Sequence, residues 1–190
     1  MPLQKAHGAP WLYDNGTGDL VGVKDPDRSE FYWQRMPHLG CFFSTQNQVD
    51  GGSAVAMTFN TTALSRGITL VDSSKIYVSR TAIYEFQLSI HIHNDDVQAH
   101  LFELWGKKNN SDIENSRFIY SVPSSHGGNP GSLIPSQNFW LSLEAGDYVQ
   151  IYWLAGDADV TIAYHPVEGG KPVAPSLLLT VKEISADWPT

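Results

Sequence analysis

A succession of short apolar runs, each bounded by Gly, Asn, Asp, Ser or Pro, constrains this chain more than any other feature. The runs cover residues 54–59, 67–71, 75–78, 82–93, 97–105, 117–122, 138–143, 148–155, 160–165 and 176–184. None carries a sustained apolar period of 3.6, so no amphipathic helix is predicted. Strands at this spacing, with turn residues between them and no helices, predict an all-β sandwich of the jelly-roll kind.

The stretch Tyr84-Glu85-Phe86-Gln87-Leu88-Ser89-Ile90-His91-Ile92-His93 alternates cleanly, which points the even positions into a core. A two-residue turn at Asp95-Asp96 would fold the chain back, setting Ile90 opposite Leu101 and Ser89 opposite Phe102. The returning Leu101-Phe102-Glu103-Leu104-Trp105 is apolar on both faces, and one face then needs a second burial surface. A symmetric partner chain is the economical choice. Phe102 and Leu104, with Gln87 and Ser89 across from them, are therefore the expected self-association interface.

Charge narrows the classes of function. Charged residues make up 17% of the chain, below the quarter or so usual for soluble domains, which suits a surface partly hidden against other chains. Net charge is −8, from 12 basic and 20 acidic residues. Direct nucleic-acid binding is not expected, because the Lys107-Lys108 doublet is the only adjacent pair of basic residues. No run approaches the length of a membrane span. A single cysteine, Cys41, rules out an internal disulfide framework. With no apolar leader in the first residues, the expectation is folding in a reducing cytoplasm.

Residues 1–50 have a different texture. Trp11-Leu12-Tyr13 and Leu20-Val21-Gly22-Val23 flank Asn15-Gly16, a hairpin signal because type I′ turns favour Asn-Gly. Phe31-Tyr32-Trp33 predicts a further aromatic strand. An isolated hairpin is marginal in water, so this arm should dock on something, with Trp11, Tyr13, Phe31, Tyr32 and Trp33 as its contacts. The expected organisation is an arm at 1–50, a jelly roll at 51–186 and a tail at 187–190.

Two resemblances add to this reading. Ala82-Ile83-Tyr84-Glu85-Phe86 resembles the G-x-Y-x-F strand of complement C1q/TNF-like jelly rolls, with Ala in place of the first Gly. Leu141-Ser142-Leu143-Glu144-Ala145-Gly146-Asp147-Tyr148-Val149-Gln150-Ile151 looks like that family's L-x-L-x-x-G-D-x-V-x-L element, and Ser176-Leu177-Leu178-Leu179-Thr180-Val181 sits in the place of its closing strand. The segment from Tyr13 through Thr17-Gly18-Asp19-Leu20-Val21-Gly22-Val23-Lys24-Asp25-Pro26-Asp27 is similar to the opening of bacteriophage virion proteins, with Arg28 replacing their usual Gly. The second resemblance implies a homotrimeric capsid cement or decoration protein. Such a protein would be made in the host bacterial cytoplasm, bind the major capsid protein on the outer capsid surface and stabilise the shell. The alternative is a head or tail fibre module that binds host-surface glycans.

Few segments suggest chemistry, and neither an enzyme nor a cofactor is expected. His91 and His93 share one strand face, and the proposed hairpin sets His100 opposite His91; no metal is expected, these three being the only candidates for one, and polar histidines on a subunit-facing surface are the favoured reading. Asp25 to Glu30 alternates oxygen ligands but lacks the Gly and distal Glu of an EF-hand, which favours a turn. Ser124 to Ser132 contains Ser and His without a nucleophile elbow or P-loop Lys, and reads as a surface loop. Cys41 beside Phe42-Phe43 reads as a buried small hydrophobe. Trp105, ending a strand before Gly106, is the best-placed aromatic for stacking on a sugar, against the plainer role of covering the sandwich edge.

Overall fold

Alternating burial organises most of the longer strands after residue 38. The chain is represented by a computed structural model that describes residues 12–14, 20–24 and 31–185, with backbone pairing alone described before residue 36. It divides into two units, residues 1–37 and 38–190.

The first unit contains β1 (Leu12–Asp14), β2 (Leu20–Lys24) and β3 (Phe31–Arg35) in an antiparallel β1-β2-β3 sheet. Leu12 faces Val23, Asp14 faces Val21, and Lys24 faces Phe31. This is the hairpin that Asn15-Gly16 predicted; its connecting residues 15–19 lie outside the described residues.

The second unit begins with β4 (Leu39–Ser44), β5 (Val55–Ala56), β6 (Thr61–Arg66), β7 (Ile68–Val71), β8 (Lys75–Val78) and β9 (Ala82–Ile90). It continues through β10 (Ile92–Asn94), β11 (His100–Lys108), β12 (Ser111–Asp112), β13 (Phe118–Val122) and β14 (Gly131–Leu133). It ends with β15 (Ser136–Leu143), β16 (Tyr148–Ala155), β17 (Val160–Ile162) and β18 (Leu177–Ser185). One sheet runs β15-β9-β18-β4-β6. A larger sheet runs β12-β11-β16-β8-β7, with β13 on β11 and β5 on β16. A small third sheet, β14-β10-β17, extends one end. Every pairing is antiparallel.

The inward positions of the two large sheets form one core. Phe42, Tyr84, Phe86, Leu88 and Leu179 come from the five-stranded sheet; Ile76, Phe102, Leu104, Val149 and Trp153 come from the other. Phe102 stacks on Trp153 with ring centroids 5.3 Å apart. Each such side chain contributes about 1.5–3 kcal/mol through burial, so the core dominates the stability of this unit.

Three sequence expectations are corrected. The arm ends at residue 37, not 50, because β4 is a full member of the five-stranded sheet, with Leu179 opposite Phe42. Buried Asp50 also belongs to the sandwich: it accepts the Ala155 N–H at 2.6 Å and the Gly52 N–H at 2.9 Å. Second, the 82–93 run is two strands. The chain leaves the five-stranded sheet at His91, whose N–H donates to Ser176 O and whose carbonyl accepts from Ala163 N–H. Third, β10 and β11 do not form a hairpin. They lie in different sheets, so Ile90 faces Leu177 rather than Leu101, and Phe102 faces Tyr120 and Ala155 rather than Ser89. Buried Asn94 makes the crossing possible, donating to Gln98 O and Pro123 O while its Oδ1 accepts from Asp96 N–H.

Candidate functional site

The outer face of the five-stranded sheet is the first candidate. Strand alternation turns Asn138, Gln87, Thr180, Cys41 and Leu64 into one row across β15, β9, β18, β4 and β6. A neighbouring row reads Ser136, Ser89, Leu178, Phe43 and Thr61. Neither row holds a charge. Charge enters in the row Trp140, Glu85, Lys182, Leu39 and Arg66, where the Trp140 side chain is 66% exposed. Hydrogen bonds from Asn138 and then from the Trp140 indole hold Glu85 below the usual carboxylate range. A hollow of about 230 Å³ lies here, lined by Leu39, Cys41, Leu64, Gln87 and Thr180 among others.

Half of the expected self-association residues stand on this face. Gln87 is exposed and Ser89 half-buried. Phe102 and Leu104 are not surface residues: they are 0% and 1% exposed, filling the core of their own chain. The second burial surface that β11 requires is therefore the opposite sheet of the same sandwich. The side chains that β11 turns outward are Leu101, Glu103, Trp105 and Lys107, at the positions between the buried ones.

The histidines regroup. His91 and His93 are joined not by His100 but by His165, at ring-centroid distances of 5.5 Å and 4.7 Å. Partial burial and then the neighbouring His165 push both His91 and His93 below the ordinary imidazole range. His100 instead bonds Asp96, Nε2 to Oδ2, at 2.6 Å. That hydrogen bond is the main reason Asp96 lies below the usual carboxylate range. Asp96, His100 and Asp157 bring ligand atoms within 4.8 Å of one another, the one group of three or more His, Cys, Asp or Glu so arranged among the described residues. This trio, rather than His91, His93 and His100, is where a divalent ion could be held. Asp157 and His165 had no sequence signal, since each meets its partners through strand pairing distant in the chain.

A third feature lies on the outer face of the larger sheet. Glu103, Trp105, Asp112, Ile113, Asn115, Ser116, Arg117 and Leu154 line an open cup of about 330 Å³. The Trp105 indole N–H donates to Asp112 Oδ1 at 2.9 Å. Trp105 also leans on Tyr152 at 6.2 Å, and the Lys107 ammonium lies 4.4 Å from the Tyr152 ring centre.

Cys41 is half-buried on the outer sheet face rather than in the core. Residues 126–129 form a tight turn closed by His126 and Asn129, with Gly127 and Gly128 at φ of 59° and 78°, as a surface loop requires. Trp11 and the Asp25–Glu30 segment lie outside the described residues, and for Tyr13, Phe31, Tyr32 and Trp33 only backbone pairing is described.

Two face-packed antiparallel sheets with this strand order define the class: a TNF/C1q-like jelly roll. Among solved structures the chain is similar to murine APRIL, a TNF-family jelly roll, in its crystal structure at pH 5.0. The match has a TM-score of 0.52 at 12% identity and covers 78% of this chain and 100% of that one, a likeness of fold alone. No protein-family model and no curated protein matches the sequence.

Proposed function

We propose that this chain is a self-associating structural module, and that it serves as a cement or decoration protein on a bacteriophage capsid. The observation that carries the assembly step is the outer face of the five-stranded sheet. Its two charge-free rows place Leu178, Phe43 and Leu64 among uncharged Gln87, Ser89 and Thr180, beside a hollow able to receive a partner's side chain. Depletion of charge at the centre of a face, with charge at its border, is the pattern of protein interfaces. A homotrimer is the expected closed assembly, as the resemblance to phage virion proteins implies.

The virion step rests on the resemblance of residues 13–27 to the opening of phage virion proteins. In this reading the first unit binds the major capsid protein and the sandwich bridges neighbouring capsomers. The work is mechanical: added buried area raises the barrier to opening the shell, and no reaction is catalysed. Size-exclusion chromatography with light scattering tests the first step, where a trimer is expected and a monomer overturns it. Electron microscopy of virions, with genome retention on heating in the presence and absence of the protein, tests the second. Absence from the capsid, or unchanged retention, overturns it.

A further inference from the structure

The cup around Trp105 belongs to neither the core nor the proposed assembly face. It lies on the opposite sheet, so its occupancy and self-association can fail independently. Its walls combine three kinds of surface. Trp105 supplies an aromatic flank, Ile113 and Leu154 add aliphatic surface, and Glu103, Asp112, Asn115, Ser116 and Arg117 supply polar groups.

The cup is prebuilt. Backbone at Gly106 accepts the Ile113 N–H at 2.9 Å, and the Gly106 N–H donates to Ser116 Oγ at 3.0 Å. Ser116 Oγ in turn donates to Ile113 O at 2.7 Å. These bonds tie the 113–116 loop to β11, so a ligand meets walls that are already ordered, which lowers the entropic cost of binding. A side chain at Gly106 would intrude on this packing, since its Cβ would lie 3.1 Å from Ile113 Cδ1. The indole is oriented from both sides, by its bond to Asp112 and by the Tyr152 ring.

The charges select among ligands. Arg117 is the cation lining the cup, and both its Nε and Nη2 are engaged by Glu103 Oε2, at 2.8 Å and 2.5 Å. Lys107, beside the cup, is drawn to Asp112 at 3.3 Å. An incoming anion would meet cations whose charge Glu103 and Asp112 already counter, and would face those two carboxylates. A ligand with hydroxyl donors would bond them instead, because an ionised carboxylate holds about four lone-pair sites and the bonds to the cations leave several open. About 330 Å³ is at the lower end of ligand-site volumes and suits a single ring rather than an extended chain.

We propose that this cup binds a neutral pyranose sugar, its C–H face on Trp105 and its hydroxyls on Glu103 and Asp112. The aliphatic face of a pyranose matches the indole, while its hydroxyls match the carboxylates. A shallow one-ring site of this kind gives roughly millimolar affinity, which repetition within an assembly would raise through avidity.

Saturation-transfer NMR on the full chain tests the proposal, with D-glucose, D-galactose and N-acetyl-D-glucosamine as neutral probes and D-glucuronate as the anionic one. At least one neutral sugar is expected to receive saturation, and glucuronate to bind at least several-fold more weakly than the best-bound neutral sugar. Trp105→Ala should weaken the best sugar tenfold or more, and Glu103→Gln, which preserves shape, should weaken it several-fold. Trp140→Ala, which removes an exposed indole from the other sheet, should leave it unchanged. Transfer to none of the neutral sugars overturns the proposal. So does binding unaffected by Glu103→Gln and Trp105→Ala, or glucuronate binding as tightly as the best-bound neutral sugar. If Trp105→Ala does not fold, Glu103→Gln decides.

Discussion

Arg80 grips the buried carboxylate of Glu183, its Nη1 lying 3.0 Å from Oε2 and 3.3 Å from Oε1. The same carboxylate accepts the His38 backbone N–H at 2.7 Å, and its side chain is only 3% exposed. These contacts fasten the segment entering β4 to the end of β18. Removing one partner of such a pair leaves a buried charge uncompensated. Arg80→Met should therefore cost about 3–5 kcal/mol in urea unfolding, and adding Glu183→Gln to it should recover part of that loss. A loss under about 1 kcal/mol, the range of exposed ion pairs, would show that the pair is solvated.

Stability should fall as pH drops below about 6.5. His91 and His93 have folded-state values depressed by partial burial and by His165. Between the depressed values and the ordinary imidazole value the unfolded chain binds more protons, so the folded state loses ground as pH falls. Their stabilising contribution is fully present above the unfolded value and declines through the folded ones. The carboxylates depressed in the folded state, Glu85, Asp96 and Asp147, act in the same direction but from their own range near pH 4 downward. Urea midpoints between pH 7.5 and pH 5 should decrease in the parent chain and change less in His165→Gln. Equal slopes would remove His165 as a contributor and leave burial of His91 and His93 as the cause.

Core and face should separate under mutation. Phe102→Ala should cost about 3–5 kcal/mol in unfolding experiments, since its side chain is fully enclosed against Trp153. Leu178→Asp, on the five-stranded sheet where Leu178 is 37% exposed, should change the unfolding free energy of the isolated protomer far less while shifting the light-scattering mass toward the monomer. A Phe102 variant with native stability, or a Leu178→Asp chain that stays associated, would reverse the assignment of the two surfaces.

Gly131 should tolerate no side chain. A Cβ there would lie 1.8 Å from the Pro123 carbonyl oxygen, where backbone rather than a flexible side chain must move. Gly131→Ala should destabilise the chain by at least about 2 kcal/mol, an overpacking cost. Gly51→Ala, in open space at φ +63°, should cost about 1 kcal/mol. Comparable losses at both sites would show that the backbone at Pro123 and Ser124, after β13, yields.

Much of the fold was legible because burial has a period of two. The strands at 68–71, 75–78 and 148–155 fall where apolar alternation and turn residues placed them. Thr61–Arg66, largely exposed at a sheet edge, gave no such pattern and was missed. At the candidate sites, Gln87 and Ser89 were legible as an outward face. Phe102 and Leu104 were assigned to the wrong surface, because an apolar residue reads the same whether its own chain or a neighbour covers it.

What the sequence by itself determined is therefore the facing of each strand: side chains at Tyr84, Phe86 and Leu88 go inward whichever strand lies alongside. Which strands become neighbours was decided only by the tertiary structure. Backbone ladder bonds are nearly blind to side-chain identity, so β9 could have paired β11 as readily, judged locally, as β15 and β18. The choice depends on closing a common core between sheets, a sum over residues distant in the chain. That same closure moved His165 to His93, Asp157 to His100 and Leu154 to the cup at Trp105.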